Sequence, residues 1–167
     1  MTAEQRPDQL SPWQQEAMGV PESLDLFLGG GRGPGKTRLL GSIFLRHGEQ
    51  HGDKARCLVV RKSFPGFIDL EAEFRSYLAS VYGDDLRYDG QKHKFTLPNG
   101  ATIQLDQLER PQDFDKFQGK SFTHIAVDEA GQYAPAALVD KLRSSLSAPV
   151  GVPVRFFILA NPGGVGH

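Results

Sequence analysis

Gly30-Gly31-Arg32-Gly33-Pro34-Gly35-Lys36-Thr37 satisfies the pattern G-x-x-x-x-G-K-[ST] at every fixed position. Glycines let backbone N–H groups turn inward and approach phosphate oxygens closely. A helix beginning at the lysine turns its positive end toward the same anion. Lys36 is placed to reach the β- and γ-phosphates of a nucleotide, and the Thr37 hydroxyl to ligate Mg²⁺. Arg38 follows directly and joins the nucleotide-binding candidates. A second pair of reactive side chains, Asp128-Glu129, closes the apolar run Ile125-Ala126-Val127. Asp128 is the candidate Mg²⁺ holder, and Glu129 the candidate base that orients and polarises an attacking water. Together these residues predict NTP hydrolysis with Mg²⁺; the loop reads phosphates and not bases, so ATP as the cofactor is not fixed by it.

Other positions carry two readings each. Arg32, inside the loop, either stabilises transition-state charge on the γ-phosphate or faces solvent and only attracts nucleotide. Asn161 either senses the γ-phosphate or serves as a turn former before Pro162. Trp13 and Gln14 either pack against adenine and read its edge, or are a core anchor beside an exposed amide. Arg61-Lys62-Ser63 ends a strand, where it touches nucleotide or DNA phosphate or is simply solvated. His47, His51, His93, His124 and His167 show no ligand spacing, which argues against a metal site built on histidines.

These groups need elements to position them. Ser11-Pro12 marks a helix start, with Ser as N-cap and Pro in the first turn. Leu24–Leu28 reads as a strand feeding the glycine-rich loop, and apolar residues at helical spacing follow up to His47-Gly48. Cys57–Arg61 is a second strand, 67–78 a helix, and Ile125–Val127 a buried strand. Ala136–Leu146 is a helix and Val154–Ala160 a final strand. Asn99-Gly100, between two alternating runs over 95–105, predicts a β-hairpin. Between hairpin and acidic pair lies a polar stretch anchored by Phe114 and Phe117. Strands alternating with helices imply an α/β fold: a mainly parallel sheet flanked by helices, with the hairpin as an insertion.

The chain has 167 residues, enough for one domain. Leu, Ile, Val and Phe make up about a quarter of it, above the level at which chains stay disordered. With 19 Lys and Arg against 20 Asp and Glu, the formal net charge is −1, so bulk electrostatics cannot drive DNA binding and any DNA contact must come from a local patch. The single cysteine, Cys57, sits in an apolar strand and reads as an inert core thiol. Apolar runs are too short for a membrane helix, and the first residues lack an apolar signal core. These features point to a soluble intracellular protein.

With these residues in view, residues 11–167 resemble the N-terminal ATPase region of the large terminase subunit of tailed phages. The resemblance rests on Trp13-Gln14-Gln15, the loop with Arg32 inside it, Val59-Val60-Arg61-Lys62-Ser63, and the Pro98–Ile103 hairpin. It rests further on Gln118-Gly119 ahead of Phe122–Ala130, and on Ala160-Asn161-Pro162-Gly163-Gly164-Val165-Gly166-His167. It implies a P-loop NTPase of the ASCE or RecA-like type that drives double-stranded viral DNA through a portal into a procapsid in the host cytoplasm. The implied partners are the DNA, the portal protein, the small terminase subunit and further copies in a ring, with no membrane.

Residue by residue, the resemblance gives phosphate binding to Gly30, Gly31, Gly33, Pro34, Gly35, Lys36 and Thr37, and metal binding to Thr37 and Asp128. Glu129 becomes the catalytic acid, Arg32 a finger or switch, Asn161 the coupling residue and Gln14 the adenine reader. The family continues beyond the matched region into further ATPase strands and a nuclease domain. The expectation is therefore a flexible stretch over 1–10 and a partial ATPase domain over 11–167, with an apolar sheet edge. A helicase- or RecA-like nucleic-acid ATPase shares the loop and acidic pair, but Asp128-Glu129-Ala130-Gly131 lacks the usual helicase continuation. A truncated nucleotide-binding relic without turnover is the reading from a different class.

Overall fold

The computed structural model describes residues 10–30, 35–133 and 136–161. The expected flexible N-terminus, the loop residues Gly31, Arg32, Gly33 and Pro34, and the Pro162–His167 ending fall wholly or mainly outside them.

Seven strands form one sheet: β1 (Leu26–Leu28), β2 (Arg56–Arg61), β3 (Arg87–Asp89), β4 (Lys94–Thr96), β5 (Thr102–Gln107), β6 (His124–Val127) and β7 (Arg155–Leu159). Their spatial order is β1-β7-β6-β2-β5-β4-β3. The pairs from β1 through β5 are parallel, and β5-β4-β3 are antiparallel. β2 and β6 lie in the middle, covered on both faces, so their apolar runs are continuous. Along β5, buried Ile103 and Leu105 alternate with half-exposed Thr102, Gln104 and Asp106, the mark of a strand with one open face. The hairpin forms as expected, with Phe95 opposite Ile103 and Gly100 at φ 92°, a value only glycine adopts freely.

Helix α2 (Lys36–His51) starts at the lysine of the glycine-rich loop and lies beside α3 (Phe64–Tyr82) on one face of the sheet. Leu39, Leu40, Ile43 and Phe44 of α2, with Phe67, Leu70, Phe74 and Leu78 of α3, bury Cys57, Val59, Ile103, Ala126 and Phe157. Burial pushes the Cys57 thiol up, keeping it protonated. The opposite face is covered over β2, β6 and β7 only. There the 3₁₀ segment Pro111–Phe117 and α4 (Ala136–Arg143) meet Leu58, Val60, Ile125, Val127 and Phe156. Phe117 is fully buried and Phe114 partly so, which bears out both anchors.

α1 (Pro12–Met18) begins after Ser11 as the Ser-Pro signal predicts. α2, α3 and α4 differ from the expected spans only at their ends. β3 was not expected: three residues between turn segments carry no readable alternation. At one edge, β1 leaves Phe27 64% exposed. No helix among the described residues is long and apolar enough to cross a membrane.

Candidate nucleotide site

Because β1, β7, β6 and β2 are parallel neighbours, their C-terminal ends share one edge of the sheet, where α/β proteins place ligands. Gly30 follows β1, Asn161 follows β7, Asp128-Glu129 follow β6, and Arg61 ends β2. Residues 30, 161, 128 and 61 are thereby gathered across four adjacent strands. Two backbone bonds extend the ladder to the site: Asp128 N–H donates to Val60 O at 2.9 Å, and Ala160 N–H to Leu28 O at 3.1 Å.

Lys36, Thr37, Arg61, Asp128, Glu129 and Asn161 line a common cleft of about 460 Å³. The Lys36 ammonium donates to Gly30 O at 2.8 Å, to Ala160 O at 3.1 Å and to Asn161 Oδ1 at 2.5 Å. A lysine has three N–H donors, so this network uses all of them. It ties the loop to the end of β7. Arg38 is the third residue of α2, and its buried Nε has no hydrogen-bond partner among the described residues.

Asp128 is buried, and burial raises its carboxyl above the usual range; the Arg61 guanidinium opposes that push and Glu129 adds to it. Arg61 Nη2 stands 2.8 Å from Asp128 Oδ2 and 3.4 Å from Glu129 Oε1, while Arg61 Nη1 donates to Gly66 O in α3. Asp128 Oδ2 is a buried acceptor held by this ion pair without hydrogen-bond geometry. Glu129 adopts φ 52° and ψ 44°, a left-handed conformation that costs a non-glycine residue about 1–2 kcal/mol. Gln132 Nε2 donates to Glu129 Oε2 at 3.0 Å. The turn and this bond aim the carboxylate into the cleft.

The chemistry of the donor set suits a hard divalent cation. The Thr37 hydroxyl and the Asp128 carboxylate are hard oxygen donors lining one cleft, with the Asp128 charge shared by Arg61.

Trp13 and Gln14 overturn the reading of a core anchor beside an exposed amide. Trp13, offered as a core anchor, is 46% exposed, while Gln14, offered as an exposed amide, is buried at 5%. Gln14 Oε1 accepts from Ser11 N–H at 2.7 Å and from the Ser11 hydroxyl at 3.0 Å. Its Nε2 donates to Gly35 O at 2.9 Å. A Cβ on Gly35 would lie 2.6 Å from the Trp13 ring, so glycine is required there by close approach. The α1 segment thus braces the end of the glycine-rich loop.

Sequence reasoning left Arg61 between a contact to nucleotide or DNA phosphate and a solvated strand end; the structure turns it onto the acidic pair. The strand end was legible, but the partner was not, because Arg61 and Asp128 meet only through the β2–β6 pairing. Gln132 was also missed; its sole signal is the spacing of three from Glu129 in a turn. Among the described residues, no group of three histidine, cysteine or acidic side chains is gathered as a metal cage would require.

A strand ending in two acids, separated by one further strand from the strand that feeds a G-x-x-x-x-G-K-[ST] loop, defines a P-loop NTPase of the additional-strand class. Over residues 27–149 the sequence matches the family model "Terminase large subunit, T4likevirus-type, N-terminal". The chain belongs to that family. None of the curated proteins matches the sequence.

Among solved structures, the large terminase of a thermophilic bacteriophage superposes with a TM-score of 0.71 at 15% identity, covering 92% of this chain and 39% of that one. The HK97 bacteriophage large terminase gives 0.67 at 17% identity, over 93% and 34%. The N-terminal domain of the DNA packaging ATPase from bacteriophage phi29 gives 0.64 at 16%, over 91% and 81%. At these identities the likeness is one of fold. The chain spans 39% and 34% of the two large terminases.

Proposed function

We propose that this chain is the nucleotide-hydrolysing part of a viral DNA-packaging motor, residues 11–167 contributing to its P-loop ATPase domain. One observation carries the reading: Lys36, at the start of α2, shares one cleft with Asn161 and the Asp128-Glu129 pair, which follow the adjacent parallel strands β7 and β6. The large terminase of the thermophilic bacteriophage has been solved with ATP-gamma-S and with ADP, and a phi29 chain within a viral genome packaging motor assembly shares the fold. These neighbours favour ATP as substrate and a viral genome as cargo; the reading extends to double-stranded DNA, a portal, a small terminase subunit and further copies in a ring as partners, in the host cytoplasm.

The roles follow from the geometry. Lys36 moves its donors from Ala160 O and Asn161 Oδ1 to phosphate oxygens when nucleotide enters. Thr37 and Asp128 hold Mg²⁺, which when bound neutralises charge developing between the phosphates. Gly30 and Gly35 flank the loop backbone that cradles phosphate; Gly31, Arg32, Gly33 and Pro34, outside the described residues, complete it, with Arg32 the candidate charge stabiliser. Glu129, aimed by its left-handed turn and by Gln132, takes the proton of the attacking water. Trp13 offers an exposed ring beside Gly35 for the base, and Gln14 positions the loop. Asn161, bonded to Lys36, reports phosphate occupancy to β7.

The test is ATP binding and phosphate release by the chain, with and without double-stranded DNA, beside Glu129→Gln. Retained binding with turnover reduced by about 10²–10⁴-fold is expected for loss of a general base. Normal hydrolysis by Glu129→Gln removes the assignment.

A further inference from the structure

The half-covered second face of the sheet creates a groove away from the nucleotide cleft. Over β2 this face is buried; at β5 the cover stops, and Thr102, Gln104 and Asp106 stand open beside Lys94 of β4. Lys116, Lys120 and Phe122 form the wall where the cover ends, and Arg56 and Lys92 close the ends of a space of about 670 Å³.

The charge of this groove sets it apart from the rest of the chain. Asp106 is compensated: it pairs with Lys116 at 3.2 Å. Arg56, Lys92, Lys94 and Lys120 form no ion pair within 4 Å with any described residue, and Asp53 is the only other acid among the described residues lining the space; Asp89, opposite Lys94 on β3, lies beside it and feels the charge of Lys92 and Lys94. A chain of net charge −1 therefore gathers unpaired cations along both sides of one groove. The floor is polar and offers no apolar pocket for a peptide anchor. Of the rings in the lining, Phe122 is buried and His93 is tied to Glu71 at 2.6 Å and packed against Phe67, so the described residues offer no free platform for stacking unpaired bases. Cations spread along a groove, with no convergent nest, match an extended row of phosphates better than a single anion.

We propose that this groove binds the sugar–phosphate backbone of double-stranded DNA, as a contact surface separate from the nucleotide cleft. The choice of duplex DNA rests on the packaging reading above; the placement of the cations does not. The contact is a positioning one, without base readout.

The experiment measures binding of a labelled 20-base-pair duplex to the 167-residue chain by anisotropy across a salt series, with Lys94→Ala/Lys120→Ala and Lys94→Arg/Lys120→Arg as variants. The alanine pair is expected to lower affinity by about fivefold to tenfold per contact near 0.1 M salt, and to reduce the slope of log K against log salt by about 2. The arginine pair restores both. Unchanged affinity and slope in the alanine pair, failure of the arginine pair to restore them, or absence of duplex binding by the wild-type chain at low salt overturns the proposal. So does a poly-glutamate peptide that binds as tightly as the duplex, which makes the groove a site for acidic protein. Failure of the ATPase reading shows differently: nucleotide binding or turnover is missing while duplex binding persists.

Discussion

Lys36 and Asn161, 125 positions apart in sequence, meet through a hydrogen bond from the ammonium to the amide oxygen. The bond exists because β7 is inserted between β1 and β6, bringing its end against the glycine-rich loop. Phosphate and Asn161 then draw on the same three donors. Lys36→Ala is expected to weaken nucleotide binding by about 10- to 100-fold, the effect of losing a charge-assisted bond worth about 1.5–3 kcal/mol. Asn161→Ala is expected to leave affinity near wild type and lower turnover, because it removes the reporter and keeps the cradle. Equilibrium nucleotide binding and single-turnover hydrolysis separate the two; equal losses of affinity would make Asn161 another binding residue.

Arg61 holds together two carboxylates that would otherwise repel. Asp128 is buried, and its charge is tolerated there because the guanidinium lies at 2.8 Å. Removing one partner of a buried pair typically costs about 3–5 kcal/mol, since the other charge is left without compensation. Arg61→Ala is therefore expected to be strongly destabilising in urea denaturation, and Asp128→Asn in the same chain to recover much of the loss. The double-mutant cycle should give a coupling of about 0.5–3 kcal/mol. Additive losses would mean that the contact contributes nothing beyond its separate side chains.

Local signals were legible in the sequence; the relations between strands were not. The loop, the acidic pair and the Asn99-Gly100 hairpin each lie within a dozen residues and carry their chemistry in residue type and spacing. The order β1-β7-β6-β2 does not, because parallel neighbours are joined by crossovers and can be paired in several ways. The Arg61–Asp128 contact depends on that order and was invisible for the same reason. The core-anchor reading of Trp13 beside an exposed Gln14 failed for another reason. A seven-residue helix has too few turns for periodicity to say which side faces inward, so the large apolar ring was the natural choice for burial. Burial instead went to the amide, whose hydrogen bonds to Ser11 and Gly35 offset its desolvation.

Gln14 spends its amide on Ser11 and on the Gly35 carbonyl, so its influence on nucleotide passes through the loop. Gln14→Ala is expected to lower stability by about 1 kcal/mol and to weaken ATP and GTP to similar extents. A residue that reads the adenine edge would instead change the ratio of the two affinities, because specificity is a difference of affinities. Competition binding of both nucleotides to wild type and variant decides the matter, and a selective loss of ATP returns Gln14 to the role of base reader. Gly35→Ala offers a parallel check. Its methyl would lie 2.6 Å from the Trp13 ring and 3.3 Å from Gln14 Nε2, so it should perturb the same end of the loop from the backbone side.

His47 and His124 stack at 3.6 Å between ring centroids inside the core, with His51 and Arg46 nearby and Thr123 bonded to His47 Nε2 at 2.8 Å. Burial is the main cause that lowers His47 to about 3 and His124 to about 4, reinforced by the neighbouring cationic groups. Both rings are neutral in the folded state and take up protons readily once unfolded, near the usual 6.5. Because the unfolded chain binds more protons below that value, stability is present in full above about pH 6.5 and is lost as pH falls toward 4 and then 3. Each ring contributes a slope of up to about 1.4 kcal/mol per pH unit in that window. Asp25 and Asp113, held low largely by backbone N–H donors despite burial, act below the usual carboxylate range, while Asp128, raised by burial, acts within the window with the opposite sign and equally in wild type and a histidine variant. Urea denaturation of wild type and His124→Phe between pH 7 and 4 should show the slope roughly halved in the variant. Parallel curves would place the acid sensitivity elsewhere in the chain.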